Sequence, residues 1–173
     1  MTAAQPSERT VPSAVGALAM WLGNGASTGD VANLRRMDPD RPSPLVLYRV
    51  AAQFFPGQWD GTEASIRDWM AVAAGLAIMA PDGHRPGLEL GRALARARMS
   101  EASLERLLAA RADTRRTLLL RAARFMAAKV ERCDWAEAAF FLLGRTDDTI
   151  EAANRRVASA YYRELDTLEA KHK

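Results

Sequence analysis

The chain has 173 residues, of which 49% are hydrophobic and 26% are charged, a composition typical of one globular domain that can bury its own core. Its single cysteine, Cys133, excludes an internal disulfide framework, and two histidines without metal-ligand spacing argue against a metal site. The longest apolar run, residues 70–80, is about half of what a membrane-spanning helix needs. We therefore expect a soluble, cytoplasmic protein without membrane contact, metal ion or cofactor.

Helix signals recur along the first half of the chain. Residues 1–12 are polar and lack a hydrophobic signal core, so we interpret them as a disordered leader. The glycines at 23 and 25 separate a first helix, at about 13–22, from a second at about 27–37. Ser43 before Pro44 has the spacing of an N-cap followed by proline at the first helical position, and predicts a third helix.

The remaining helices also begin at recognisable caps. Thr62 precedes apolar positions spaced by three and four, and Met99 before Ser100 has the spacing of a hydrophobic staple. Asp134 with Glu137 three residues later resembles a capping box. No segment alternates apolar and polar residues over a strand's length, so strands are not expected.

These signals predict an all-α fold, a helical bundle of about eight or nine helices in two lobes. Residues 81–87, which read Pro-Asp-Gly-His-Arg-Pro-Gly, form a loop between an N-terminal lobe at 13–80 and a C-terminal lobe at 88–165. Residues 166–173 are expected to be a flexible tail. Trp69 and Trp135 lie on apolar helical stripes and are expected in the core.

Positive charge is concentrated in the middle of the chain. Residues 85–132 hold twelve of the 24 Lys and Arg residues and only five acids, whereas the remainder has twelve bases and sixteen acids. Nearly all the bases are arginine, whose planar guanidinium contacts phosphate oxygens two at a time. A GC-rich genome would explain the preference for Arg over Lys but not the clustering. Charge segregated on helices in this way indicates a surface that follows a phosphate backbone.

Helical spacing sorts these arginines into pairs on shared faces. In the helix from about 113 to 130, a polar face with two cations and no acids lies opposite an apolar face that includes Val130. A charged helix face is often simply solvated, so each pair alone is weak evidence. The predicted nucleic-acid contacts are Arg35, Arg36, Arg49, Arg92, Arg96, Arg111, Arg115, Arg121 and Arg124.

Aromatic and catalytic patterns add little. Tyr161 and Tyr162 are equally consistent with base stacking and with a C-terminal helix docked on the bundle. His84 lies in a loop without a catalytic partner, and the glycines at 23 and 25 lack the preceding strand of a phosphate-binding loop. We therefore expect no enzymatic activity.

Four stretches, in order, match a known family. They are Asn33-Leu34-Arg35-Arg36 with Tyr48-Arg49; residues 88–94; Met99-Ser100-Glu101 leading into Arg106-Leu107-Leu108 and Arg111-Ala112-Asp113; and Asp134-Trp135. Over residues 14–163 the chain resembles the CasB family, the small subunit of the type I-E CRISPR surveillance complex Cascade.

The resemblance implies a non-enzymatic, all-helical subunit with two lobes. It implies that a pair of copies lies along the belly of Cascade, against the backbone subunits and beside the large subunit. Basic surfaces would hold guide RNA, target DNA and the displaced non-target strand, and so stabilise the R-loop, while base pairing with the guide reads sequence. Arg35, Arg36, Arg92 and Arg111 fall within matching stretches; the other five predicted contacts rest on charge geometry.

Two other functions stay open at this point. A helical module could dock protein partners, with its arginines facing acidic surfaces, and salt-sensitive binding to bare single-stranded nucleic acid would argue against it. A free-standing architectural DNA-binding protein would bind tightly alone, whereas a Cascade subunit should bind weakly until it is assembled.

Overall fold

Nine helices form the fold of residues 9–171, the part of the chain that this computed structural model describes. In chain order they are α1 (Val11–Asn24), α2 (Thr28–Arg35), α3 (Leu45–Phe54), α4 (Glu63–Met79), α5 (Leu90–Arg96), α6 (Glu101–Ala109), α7 (Ala112–Ala128), α8 (Trp135–Leu143) and α9 (Asp147–Ala170). No strand occurs within residues 9–171. The predicted all-α fold class is confirmed.

Most helices begin where the sequence predicts. The Thr62 hydroxyl accepts a hydrogen bond from the Ser65 amide at 3.1 Å, and the Ser100 hydroxyl caps α6 in the same way. The predicted Ser43 cap is wrong, because Pro44 occupies the N-cap position without a side-chain bond. The Ser43 hydroxyl instead points to the Met70 sulfur at 3.5 Å.

Both ends of the described chain are more helical than predicted. Thr10 caps α1, which begins at Val11, so the expected leader of residues 1–12 runs into the first helix. Residues 1–8 lie outside the described range. At the other end α9 continues to Ala170, which makes the start of the predicted tail, residues 166–170, helical. Residues 172 and 173 of that tail also lie outside the described range.

Helix α4 is the centre of the bundle. Its residues 68–77 are buried without interruption, and the helix packs against α1, α2, α7 and α8. The Trp135 indole of α8 lies against Gly75, where any Cβ would overlap the ring. Trp69 and Trp135 are 2% and 0% exposed, which confirms their predicted place in the core. A glycine at residue 75 therefore allows α8 to approach the central helix closely.

Helices from both sides of the loop at 81–87 share this core. Helix α1 packs against α8, and α4 packs against α7 and α8. The buried side chains of residues 14–161 form one continuous cluster. The division into two lobes stays a prediction, and the core within the described residues does not mark it.

The loop at 81–87 is fixed to the start of α8. Asp134 caps its own helix as expected, but the predicted capping box is wrong, because the Glu137 carboxylate accepts the Leu90 amide at 2.6 Å and so caps α5. The imidazole of His84 accepts the Trp135 amide at 3.0 Å through Nδ1. Burial lowers the pKa of His84, more strongly than nearby Asp134 raises it, so the neutral form that accepts this bond is favoured.

A buried carboxylate links three parts of the fold. The Asp68 side chain on α4 is 2% exposed and lies 2.7 Å from Nη1 of Arg116 on α7. Nη2 of Arg145, in the connection between α8 and α9, also lies 2.7 Å from it. Asp113 forms a further ion pair with Arg116. A buried charge needs such partners, since an unpaired one destabilises a fold by several kcal/mol.

Helices α5 and α9 pack closely through a glycine and a carboxylate. A Cβ at Gly91 would overlap the Val157 carbonyl oxygen. The Glu164 carboxylate on α9 is buried and lies 2.6 Å from Nε of Arg96 and 2.8 Å from Nε of Arg92. Burial alone would raise the pKa of Glu164, but the hydrogen bonds and charges of the two arginines outweigh it and hold that pKa below its usual value.

Helices α5 and α7 end in the same left-handed turn. Arg98 has φ 63° and Val130 has φ 58°, and each is followed by an amide that bonds back into the helix, from Met99 to Leu94 and from Glu131 to Met126. This is the Schellman motif, in which glycine is the usual residue at the left-handed position. Val130 was predicted on the buried side of α7; it is 86% exposed because the helix ends at Ala128.

The close approach at Gly91 predicts a large effect of one methyl group. We expect Gly91→Ala to lower the free energy of unfolding by about 2 kcal/mol, because α5 and α9 must separate to admit the Cβ. Urea denaturation of the full chain measures this. Gly16→Ala in α1 is the matched control, since its Cβ meets nothing within 4 Å and should stabilise the helix by up to about 1 kcal/mol. Equal effects of both substitutions would contradict the packing argument.

The ion pairs of Glu164 predict that the stability of the fold depends on pH. Because its folded pKa lies below the ordinary value of 4.5, its ion pairs stabilise the fold above that pH and are lost as the pH falls through the folded pKa. We expect Glu164→Gln to be less stable than the wild type by about 1–2 kcal/mol at pH 7, the arginine partners being partly exposed. In urea denaturation this difference should shrink below about pH 4.5. A difference that stays constant down to pH 3 would show that the charge of Glu164 does not matter.

Candidate nucleic-acid interface

The nine predicted contact arginines differ in the hydrogen bonds and ion pairs that their guanidinium groups already form within the fold. Arg92 and Arg96 share a face, as predicted, but that face meets Glu164 of α9. Their side chains remain 43% and 34% exposed. Each can still offer N–H donors to a ligand, but their charge is partly neutralised within the fold.

Three further predicted arginines are exposed, but each already forms hydrogen bonds or an ion pair within the fold. Nε of Arg35 donates to the Ala77 carbonyl at 2.6 Å, at the end of α4. Arg49 forms an ion pair with Asp30 at 2.7 Å. Arg111 donates to three successive carbonyls at the end of α6, the Ala110 oxygen among them at 3.0 Å. The bonds of Arg35 and Arg111 satisfy carbonyl groups at the ends of helices, and the bond of Arg49 pairs with an acid. Other N–H donors of each guanidinium remain exposed.

Arg115, a predicted contact, is buried inside the fold, where its guanidinium bonds to neighbouring helices. The residue is 3% exposed, and its guanidinium carbon lies 3.4 Å from the centroid of the Phe141 ring. It donates to the Phe141 carbonyl at 2.9 Å and to Oδ1 of Asn154 at 3.0 Å. Burial, with the neighbouring Arg111, lowers the pKa of Arg115 to about 10, so it stays charged at neutral pH. The helical spacing from Arg111 cannot show that α7 turns this side chain inward.

The remaining predicted contacts lie on open surface. Arg36 is exposed and bonds only to Asn33 of its own helix within the described residues. The predicted polar face of α7 is exposed along its length at Thr117, Arg121, Arg124 and Ala128, while the opposite face is buried at Leu119, Ala123 and Met126. This confirms how the sequence assigned the two faces of α7 up to the end of the helix.

A groove of about 480 Å³ lies between α6 and α7, and we call it the α6–α7 groove. Three exposed arginines, Arg98, Arg106 and Arg121, form its rim. Ser100 and Ser103, in the first turn of α6, contribute hydroxyl groups. The other lining residues are apolar: Met99, Leu107, Leu118, Ala122 and Phe125.

The α6–α7 groove has a strongly positive lining. It contains no acid, and its three arginines form no ion pair with any acid in the described part of the chain. The N-terminus of α6, capped by Ser100, adds the positive end of a helix dipole, which Glu101 in the same first turn partly offsets. The groove can therefore bind an anion with exposed oxygens, such as a phosphate.

The sequence analysis named Arg121 as a predicted contact but not Arg98 or Arg106, which line the same groove. Arg98 follows the last turn of α5, and Arg106 lies on α6, so neither belongs to a pair four residues apart with Arg121. The short α6–α7 connection is the signal that could have found them, because it folds α6 back against α7. Charge counted along one helix cannot detect a site formed across two.

Two larger grooves have a different charge. The groove of about 930 Å³ between α5 and α9 is lined by Glu131, Glu164 and Glu169 as well as by cations. The groove of about 620 Å³ between α6 and α9 contains three glutamates, Glu101, Glu105 and Glu151. Carboxylates repel a phosphate backbone, so the smaller α6–α7 groove suits it better than either.

Tyr161 and Tyr162 attach the C-terminal helix α9 to the rest of the bundle. Tyr161 is 2% exposed and donates its hydroxyl hydrogen to the Met99 carbonyl at 2.5 Å, which fixes α9 to the turn after α5. Tyr162 is 46% exposed and donates to the Glu101 carboxylate. The acid beside Tyr162 makes it a poor platform for a nucleic-acid base.

Residues 9–171 contain neither a metal-ligand cluster nor a candidate membrane-spanning helix. No group of three or more His, Cys, Asp or Glu residues in this range could hold a metal ion. No helix of the same range combines the length and apolar character needed to cross a membrane.

Comparison with known proteins identifies the family. Residues 30–162 match the family model described as CRISPR-associated protein Cse2, which is the small subunit CasB of type I-E Cascade. A comparison with curated proteins gives no match. The matched region is more than three-quarters of the chain and includes all nine predicted contacts and the whole α6–α7 groove. The chain therefore belongs to the Cse2 family, the small subunits of the type I-E Cascade complex.

Proposed function

We propose that this Cascade subunit binds nucleic-acid backbones through the α6–α7 groove and the exposed face of α7, and stabilises the R-loop without catalysing a reaction. One observation carries the proposal: Arg98, Arg106 and Arg121 surround a groove that contains no acid. Arg124 extends the cationic surface by one turn of α7. In an RNA-guided complex the guide reads sequence by base pairing, so a subunit of this kind needs only charge and geometry.

Binding of this kind is electrostatic and independent of sequence. Each arginine that meets a phosphate releases a counterion, so affinity falls as salt rises. We propose guide RNA, target DNA and the displaced non-target strand as ligands. We also propose that the protein neighbours are the backbone subunits, the large subunit and a second copy of this chain, in the cytoplasm.

The exposed face of α3 supports contact between this chain and other protein subunits. Leu45 is 84% exposed and Tyr48 is 55% exposed, three residues apart on the same side of the helix. Exposed apolar side chains of this size suit contact with a protein neighbour. This observation fits a subunit of a complex better than a free-standing DNA-binding protein.

The proposed contact at Arg98 predicts that a single substitution raises the stability of the fold and weakens its binding to nucleic acid. Arg98→Gly should raise the free energy of unfolding by about 0.5–1 kcal/mol, because glycine adopts positive φ without strain. The same substitution should weaken binding to single-stranded DNA and reduce the slope of log affinity against log salt by about 0.7. Urea denaturation and fluorescence anisotropy measure the two quantities.

Val130→Gly is the matched control for Arg98→Gly. It relieves the same left-handed conformation outside the groove, so it should stabilise the fold and leave binding unchanged. If both glycine variants bound DNA like the wild type, Arg98 would not be a contact.

R-loop formation tests the proposed function in the complex. We would co-express the chain with the other Cascade genes and a guide RNA, and measure stable R-loops on matched duplex. Omission of the chain should reduce them, wild type should restore them, and Arg106→Ala/Arg121→Ala should restore them only in part, with the deficit growing as salt rises. Arg155→Ala/Arg156→Ala on α9 removes the same charge outside the groove and serves as the control. Full restoration by the groove variant would overturn the proposal.

A further inference from the structure

The α6–α7 groove combines its cations with an apolar interior. Leu107 and Ala122 are buried and form its floor, while Met99, Leu118 and Phe125 are half-buried between the core and the groove. A site for phosphate alone needs donors and charge, and gains nothing from this apolar lining. The lining suits a ligand that is anionic at its edge and apolar in its body.

We propose that the groove takes an unstacked base of a single strand, which contacts Phe125 and Leu118 while Arg98, Arg106 and Arg121 hold the flanking phosphates. This inference rests on the proposed function and adds the part of the ligand that is recognised. The volume of about 480 Å³ lies in the range of small-molecule sites and leaves room for a base and its sugar.

The arrangement distinguishes a single strand from a duplex. In a duplex the faces of the bases are stacked inside and only base edges and the backbone are exposed, so the arginines could bind phosphates but no base could lie flat against the apolar lining. A single strand presents its bases freely, and contact between a base and an aromatic side chain strengthens binding without regard to sequence. The groove therefore favours the separated strands of an R-loop over reannealed duplex.

Two oligonucleotides of equal charge test this inference on the full chain. One is an oligothymidylate of fifteen nucleotides, and the other is its abasic counterpart, which carries the same phosphates without bases. Phe125→Leu removes the ring but keeps an apolar side chain. We expect it to weaken binding to oligothymidylate about fivefold and to leave binding to the abasic strand unchanged, in fluorescence anisotropy at low salt. Arg121→Ala should weaken binding to both strands.

The outcomes separate the two proposals. Equal effects of Phe125→Leu on both strands, or no effect on either, would overturn the base contact while a response to Arg121→Ala left the proposed function standing. No response to Arg121→Ala on either strand would overturn both. If Phe125→Leu fails to fold, photocrosslinking of 5-iodouracil-substituted oligothymidylate to the wild type gives the second readout. A crosslink within the groove supports the proposal, and crosslinks only elsewhere contradict it.

Discussion

A carboxylate in the centre of a helical bundle must be paired, and the pairing of Asp68 holds α7 and the α8–α9 connection against the central helix α4. Arg116 lies against it from α7, and Arg145 from the connection to α9. Because Arg116 points inward and Arg115 beside it bonds to Phe141 and Asn154, the rotation of α7 is fixed. At 100° per residue, five residues from Arg116 bring Arg121 to the outer side. The exposed cationic face of α7 is thus the far side of a helix held by its buried charges.

The acids of the fold determine which arginines remain for a ligand. Glu164 engages Arg92 and Arg96, and Asp30 engages Arg49. No acid of the described chain pairs with an arginine of the α6–α7 groove. Ion pairs engage nine arginines of the described chain, whereas the three arginines of the α6–α7 groove stand together without an acid partner, so positive charge is concentrated at this groove. This distribution, more than the total charge, makes one surface suitable for a phosphate backbone.

Much of the fold could be predicted, because helix caps and apolar periodicity act over a few residues. Thr62 and Ser100 begin helices as their hydroxyl chemistry predicts, and Trp69 and Trp135 lie in the core. Two of the errors came from partners distant in sequence. Glu164 is 68 residues from Arg96, and Glu137 is 47 residues from the amide it caps, so spacing along the chain could not reveal either contact. For the same reason spacing along the chain did not place Arg98 and Arg106 beside Arg121 at one groove.

A left-handed backbone conformation does not by itself place a residue in the α6–α7 groove. Arg98 and Val130 adopt the same left-handed conformation at the ends of two helices, but only Arg98 lines the α6–α7 groove. A few arginines neutralise only a few phosphates, so the isolated chain should bind weakly. On the proposed function the strands are already held nearby within Cascade, so the proposed contacts act at a high effective concentration. On the proposed function a small cationic groove is consequently sufficient, because the complex delivers the separated strands to it.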